Sequence, residues 1–123
     1  MSREDSNWQW STRHPRYPAA SPEDRTCAIA RVTCARADEF EDANLIDISM
    51  TGIQICIGSA IESGKQIEVE IVTKDGCRIV RTCNVQWCHK MPNKNYKLGC
   101  RFGEQLTYEE LGELLLSEAI SKR

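Results

Sequence analysis

The residues that decide the fold are QIEVEIVTKDGCRIVRTCNVQWC, positions 66–88. In the first eight of them apolar and acidic side chains alternate, in the order Ile67, Glu68, Val69, Glu70 and Ile71. A period of two predicts a β-strand with one buried face. The Lys74-Asp75-Gly76 segment that follows predicts a type I′ hairpin turn, because Asp-Gly suits the positive φ angles of that turn.

The chain then returns in a second strand, which we expect over residues 77–88. Its alternation places most of the large side chains on one face, with Arg81 as the exception, and these are Ile79, Cys83, Val85 and Trp87. Extending the same pattern in both directions predicts six short strands, over residues 27–36, 43–48, 52–57, 66–73, 77–88 and 96–102. Strands at this spacing without a helix between them indicate an all-β fold, an antiparallel barrel or sandwich.

The two ends of the chain differ from this middle part. Residues 1–26 are polar and contain Pro15, Pro18 and Pro22, which disfavour helix and ladder pairing, so we expect a flexible, extended N-terminal arm. Its aromatic residues, Trp8, Trp10 and Tyr17, suggest that the arm packs against another surface. The rest of the chain, residues 27–123, is then one domain of strands followed by a helix.

The C-terminal helix begins with a capping box, Thr107 followed three residues later by Glu110. Apolar residues then recur along one helical face, and these are Tyr108, Leu111, Leu114, Leu115 and Ile120. This face suits packing on an open end of the barrel. It also suits packing on a protein partner or on a sister subunit in a homodimer.

Composition limits the classes of function. The 123 residues carry a formal net charge of -2, which argues against binding to a nucleic acid polymer. The sequence contains no run of about 18 apolar residues and no signal-peptide core, so we expect a cytoplasmic domain with no membrane segment. The seven cysteines form no CxxC pair, and Cys88-His89 is the nearest approach to a metal-ligand cluster. We therefore expect buried thiols, with no metal and no cofactor.

Residues 47–52, Asp-Ile-Ser-Met-Thr-Gly, match the D/NxSxxG motif of the PilZ family. Residues 98–103, Leu-Gly-Cys-Arg-Phe-Gly, and residues 85–88 resemble the last two strands of that family. The resemblance implies a six-stranded antiparallel PilZ-like barrel with a C-terminal helix. It further implies a bacterial receptor for the second messenger cyclic di-GMP, with Asp47, Ser49 and Gly52 forming the barrel side of the site. Taken without the resemblance, the same motif describes a Ser-stabilised β-turn without a ligand.

The second motif of the family, RxxxR, is degenerate in this chain. The Arg13-His14-Pro15-Arg16 segment resembles it, with Arg16 in the second position and Thr12 where the first arginine should stand. On this alignment Arg13 and Arg16 would clamp the phosphates and the guanine edge, because guanidinium offers planar bidentate donors. A second alignment uses Arg25 and Arg31.

Two functions follow from the resemblance. The first is a cyclic di-GMP receptor or adaptor whose arm changes conformation on binding and regulates a downstream protein. The second is a degenerate PilZ-like interaction module that binds no nucleotide, with the helix or the aromatic arm as its surface. We do not expect the protein to be an enzyme, because the sequence contains no nucleophile-base pair, metalloprotease motif or phosphate-binding loop.

Overall fold

The computed structural model describes residues 15–19, 30–36, 39–117 and 119–120. These contain seven strands, β1 (Tyr17–Pro18), β2 (Ala30–Arg36), β3 (Glu39–Ile48), β4 (Gly52–Ile57), β5 (Gln66–Thr73), β6 (Arg78–Lys90) and β7 (Tyr96–Phe102). One helix follows them, α1 (Tyr108–Leu116). The predicted bounds of the strands at residues 52–57, 66–73 and 96–102 are confirmed.

Strands β2 to β7 form a closed barrel. The order is β3-β2-β5-β6-β7-β4, every pairing is antiparallel, and β4 returns to pair with β3. Closure removes the unpaired strand edges that an open sheet would expose. The predicted six-stranded antiparallel barrel with a C-terminal helix is therefore confirmed.

Strand β3 begins at Glu39, four residues earlier than predicted. Its first half pairs with β2 and its second half with β4, so one strand spans the closure of the barrel. The first half was missed because its side chains are mostly polar and exposed and give no apolar alternation. Tertiary pairing, and not local pattern, defines this half of the strand.

The prediction that proline prevents ladder pairing in the arm is wrong for residues 17–19. Strand β1 pairs with the end of β3, where Tyr17 lies opposite Ile48 and Pro18 opposite Asp47. The Ala19 amide then donates to the Ile46 carbonyl at 2.9 Å. Proline is tolerated here because β1 is a short edge strand, which pairs with β3 on one side.

The barrel is filled by branched aliphatic side chains, and the largest that are fully buried include Ile48, Ile53, Ile55, Ile71 and Leu98. Each contributes on the order of 1.5–3 kcal/mol on burial. The thiols of Cys34, Cys83 and Cys100 are also buried in this core, and Cys88 packs against it. Cys56, Cys77, Cys83, Cys88 and Cys100 are free thiols.

The turn between β5 and β6 differs from the predicted type I′ turn. The Gly76 amide donates to the Thr73 carbonyl, and the Thr73 amide donates to the Cys77 carbonyl, both at 2.9 Å. Gly76 has a φ of 89°, whereas Asp75 is not among the described residues with positive φ. The connection is thus a three-residue loop that ends in a left-handed glycine, the next most common hairpin type.

Helix α1 has the predicted capping box, in which the Thr107 hydroxyl accepts from the Glu110 amide and the Glu110 carboxylate accepts from the Thr107 amide. Leu111 and Leu114 are buried in the same cluster as the barrel core. The prediction for Tyr108 is wrong, because this side chain is 82% exposed. Ile120 is buried but lies beyond the helix, bridged to Ala19.

Arg81, the exception on the apolar face of β6, joins the barrel to the helix. It pairs with Val69 and its guanidinium donates to the carbonyls of Glu104 and Gln105, at 2.8 and 3.3 Å. It also forms an ion pair with Glu110 of α1. An arginine can therefore stand on the inward face of β6, because its guanidinium has carbonyl and carboxylate acceptors.

In the described residues no helix is long and apolar enough to cross a membrane.

Candidate ligand-binding site

Two β-bulges turn polar and aromatic side chains to the outside of the barrel. In β3 the register shifts between Leu45 and Asp47, and in β6 it shifts between Val85 and Trp87. Each extra residue reverses the alternation, so Asp47 and Trp87 point outward although a regular strand would point them into the core. The predicted position of Trp87, on the same face as Val85, is therefore wrong.

The bulges align one row of side chains across four strands. Asp47 of β3 lies opposite Gln54 of β4, which lies opposite Gly99 of β7, which lies opposite Trp87 of β6. Directly opposed residues in antiparallel strands project from the same face. The outer wall of the barrel thus presents a carboxylate, an amide and an indole in one line, with a glycine between the last two.

Gly99 makes the space that the indole occupies. A Cβ at this position would lie 2.2–2.5 Å from three atoms of the Trp87 ring. The indole therefore lies directly on the backbone of β7. The indole also lies beside the His89 ring, with ring centroids 4.8 Å apart.

An open cleft of about 600 Å³ is lined by three members of this row, Gln54, Gly99 and Trp87. Its lining comes from the β3–β4 turn, the arm and strands β4, β6 and β7, and consists of Arg16, Ser49, Thr51, Gly52, Gln54, Gln86, Trp87, Gly99, Cys100 and Arg101. The volume lies within the range of small-molecule sites, roughly 300–1,000 Å³. A lining that combines two arginines, two glutamine amides and an indole suits an anionic ligand with planar rings.

The β3–β4 turn is held by Ser49. Its buried hydroxyl accepts from the amides of Thr51 and Gly52, at 3.3 and 3.2 Å, and the Ser49 amide donates to the Gly52 carbonyl at 2.8 Å. This is the Ser-stabilised turn that the motif describes by itself. The Ser49 hydroxyl shapes the cleft by fixing the turn, and the turn then carries Thr51 and Gly52 to the lining.

Gly52 is required by the close approach of two strands. A Cβ here would lie 2.6 Å from the Cys100 carbonyl oxygen. The turn is also tied to the chain before α1, since the Met50 carbonyl accepts from the Leu106 amide at 2.8 Å. The Thr51 carbonyl likewise accepts from the Phe102 amide at 2.9 Å.

Arg16 reaches the cleft from the arm and pairs with Asp47. Its Nε donates to Asp47 Oδ1 at 2.8 Å, and its Nη2 lies 2.7 Å from the same oxygen. The Arg16 side chain is 41% exposed. Such an exposed pair contributes at most about 1 kcal/mol, so a ligand can rearrange it at little cost.

The structure brings together four of the five predicted site residues, which are Arg16, Asp47, Ser49 and Gly52. Arg13 lies outside the described residues, as do Thr12 and Arg25 of the motif alignments. Sequence reasoning missed Gln54, Gln86, Trp87 and Arg101 as cleft residues. The bulge that exposes Trp87 gives no local signal, although Gly99 inside a predicted strand was a sign of a close approach.

The pKa is raised both for Cys100, which lines the cleft, and for Cys83 in the core. Burial raises the pKa of Cys100 to about 12, with neighbouring thiols adding to the shift. Burial, together with the neighbouring thiols of Cys100 and Cys34, also raises the pKa of Cys83 to about 12. A thiol with this pKa is protonated at neutral pH and is a poor nucleophile. Within the described ranges, no three His, Cys, Asp or Glu side chains are grouped as metal ligands.

A closed barrel with an open polar and aromatic cleft on its outer wall defines a small ligand-binding or adaptor module. Comparison with protein families matches the PilZ domain over residues 12–117, and the chain belongs to that family. PilZ domains are binding and adaptor modules rather than enzymes, and they generally bind cyclic di-GMP and interact with effector proteins.

A solved structure shares the fold. It is the Bacillus subtilis inhibitor of motility, MotI/DgrA, which superposes with a TM-score of 0.63 at 16% sequence identity. The match covers 85% of this chain but 48% of that one, so the chain spans about half the length of its structural neighbour. Among curated proteins no match was found.

Proposed function

We propose that this domain binds cyclic di-GMP in the outer cleft and uses the rearrangement of its arm to regulate a downstream protein in the bacterial cytoplasm. One observation supports this above the others. Arg16, from the degenerate arginine motif, is held by Asp47 of the D/NxSxxG motif at the edge of a cleft with Trp87 and Arg101 in its lining.

The cleft offers a partner for each part of the ligand. Cyclic di-GMP has two phosphates and two guanines, and Arg16 and Arg101 supply bidentate donors for phosphate or for a guanine edge. The Asp47 carboxylate can accept from the ring and amino N–H groups of guanine. The Trp87 indole gives an apolar surface for a base.

The change of shape follows from the Arg16–Asp47 pair. A phosphate at Arg16 competes with Asp47 for the guanidinium, and a guanine competes with Arg16 for the carboxylate. Since Arg16 directly precedes β1, either exchange alters the path of the arm along β3. Ordering of a segment by an anion is a known form of switching.

Isothermal titration of cyclic di-GMP into the purified domain tests the proposal. We expect micromolar or tighter binding to the unaltered domain. Arg16→Ala should weaken it roughly ten- to a hundredfold, because a charge-assisted hydrogen bond contributes on the order of 1.5–3 kcal/mol. Arg78→Ala is the matched control, since Arg78 is an exposed arginine of β6 that pairs with Glu70 and does not line the cleft.

Absence of heat at ligand concentrations of about 1 mM would contradict the proposal, because even a weak site of roughly −4 kcal/mol is half filled there. It would favour the degenerate interaction module, whose function needs no nucleotide. Equal losses in Arg16→Ala and Arg78→Ala would place the ligand outside the cleft.

A further inference from the structure

The outer side of α1 carries an apolar stripe that no described residue covers. Tyr108, Gly112 and Leu116 are spaced four residues apart, so they follow one another along one helical face. Tyr108 is 82% exposed and Leu116 is 80% exposed. We call these three residues the outer stripe. It faces away from Leu111 and Leu114, which attach the helix to the core.

Gly112 at the centre of the stripe is not explained by the fold of the domain. A Cβ at this position would meet no atom within 4 Å, and its φ is not in the left-handed region. Glycine inside a helix is less stable than alanine because it loses more conformational freedom on folding. A glycine on an outer face is favourable where a second backbone must approach closely.

The charged residues of α1 beside the stripe have one sign. Glu109 and Glu113 are exposed and flank it on one side, and the helix sequence YEELGELLL contains no lysine or arginine. Glu110 is different, because it is engaged by Arg81 and the capping box. The acidic row along the stripe therefore has no cation of α1 to balance it.

This charge distribution selects the occupant. A basic partner would gain attraction from the acidic row as it covers the apolar stripe. A second copy of the domain offers the same acidic helix, so pairing the two stripes would bring carboxylates together without a compensating cation from either α1. Like charges opposed in an interface cost binding energy and disfavour that pairing.

We propose that the outer stripe docks a basic amphipathic helix of another protein, which crosses α1 at Gly112. The apolar face of that helix covers Tyr108 and Leu116, and its lysines or arginines meet Glu109 and Glu113. Recognition of an amphipathic helix through a few apolar anchors is a common mode. The proposal does not depend on nucleotide binding, because none of these residues lines the cleft.

The test uses a synthetic helical peptide of about four turns, with leucine and alanine on one face and lysine and arginine on the other. Its titration into the ¹⁵N-labelled domain should shift the amide resonances of α1, centred on residues 108–116. We expect Gly112→Gln to weaken binding at least tenfold, since it places a side chain where the helices cross. Glutamine is a good helix former, so this variant should remain folded.

Three controls make the result specific. Phe40→Ser removes another exposed apolar side chain, 79% exposed but outside the stripe, and should leave binding unchanged. Glu109→Lys combined with Glu113→Lys should transfer binding to a matched peptide with an acidic polar face. Cyclic di-GMP titration of Gly112→Gln should match that of the unaltered domain, whether or not the domain binds the nucleotide.

Two outcomes would overturn the proposal. Equal affinity for the basic peptide before and after Gly112→Gln would show that the peptide is attracted by the acidic residues alone and does not pack on the outer stripe. A dimer in sedimentation experiments that Leu116→Ala dissociates would assign the stripe to a second copy of the chain.

Discussion

At the residue scale, Gly99 and Trp87 decide whether the cleft is open. The indole lies where a side chain at position 99 would be, so the two residues are interdependent. The bulge in β6 turns Trp87 outward, and the missing side chain at Gly99 leaves room for the ring against β7. A change at Gly99 should therefore act on the ligand site through the indole.

We predict that Gly99→Ala displaces the Trp87 ring into the cleft. Overpacking of this kind costs typically 1–3 kcal/mol of stability. The affinity for cyclic di-GMP should fall at least tenfold, because the ring then occupies ligand space. Urea denaturation and calorimetric titration measure the two effects. Gly112→Ala is the control, since a Cβ there meets no atom within 4 Å and Gly112 does not line the cleft. Unchanged affinity in Gly99→Ala would remove Trp87 from the proposed site.

The buried thiols predict a pH dependence of stability. The pKa of Cys83 and that of Cys100 are raised by burial from 9.0 to about 12. Between these values the unfolded chain releases thiol protons that the folded chain retains. The free energy of unfolding should therefore be unaffected by these thiols below pH 9. Above pH 9 it should fall, by up to about 1.4 kcal/mol per pH unit for each thiol.

Urea denaturation at several pH values between 8 and 11 measures this slope. The Cys83→Ala and Cys100→Ala variants should each lose part of it, although both are less stable at pH 8. A slope above pH 9 that is the same in all three proteins would mean that other groups cause the loss of stability.

At the element scale, α1 is attached to the barrel by both apolar and polar contacts. Leu111 and Leu114 supply the apolar part. Arg81 supplies the polar part, because it binds the Glu104 and Gln105 carbonyls ahead of the helix and the Glu110 carboxylate within it. The same carboxylate closes the capping box, so one β6 residue supports the start of the helix.

We predict that Arg81→Leu lowers the free energy of unfolding by roughly 1.5–3 kcal/mol, the usual contribution of hydrogen bonds to a charged group. The helix should fray first, so the amides of residues 110–114 should lose protection against hydrogen exchange before the strands do. Arg78→Ala should cause neither effect, because Arg78 is exposed and pairs with Glu70 of β5. Loss of stability without loss of helix protection would argue that Arg81 supports the strands alone.

At the scale of the whole molecule, the arm connects the cleft to the C-terminal end of the described chain. Arg16 lies at the cleft, Tyr17 and Pro18 pair with β3, and Ala19 bridges to Ile120. The Ile120 amide in turn donates to the Leu114 carbonyl of α1 at 3.4 Å. A ligand that holds Arg16 should stabilise this series of contacts as well.

We predict that cyclic di-GMP slows hydrogen exchange at the Ala19 amide, which donates to the Ile46 carbonyl. The Thr73 amide, bonded to Cys77 at the far hairpin, is the internal control and should exchange at the same rate with and without ligand. The effect should be absent in Arg16→Ala at the same ligand concentration. Protection of Ala19 that is unchanged by saturating ligand would rule out coupling through the arm.

Much of the fold was predictable because its signals are local. The alternation in residues 52–57 and 66–73 and the capping box at Thr107 each depend on neighbouring residues, and all three are confirmed. The resemblance of residues 47–52 and 98–103 to PilZ motifs led to the family, which the family comparison confirms. Asp47, Ser49 and Gly52 followed from the same motif.

The sequence by itself determined the strands at residues 52–57, 66–73 and 96–102, the helix start and the family, because side-chain periodicity and motif spacing are properties of short segments. The tertiary structure alone decided that β3 extends to Glu39, that Asp47 and Trp87 face outward, and that Arg16 meets Asp47. A bulge becomes defined only when two strands pair, since the extra residue exists relative to the partner strand. The cleft is likewise a property of the closed barrel, because its lining residues come from strands that are distant in sequence and adjacent only after closure.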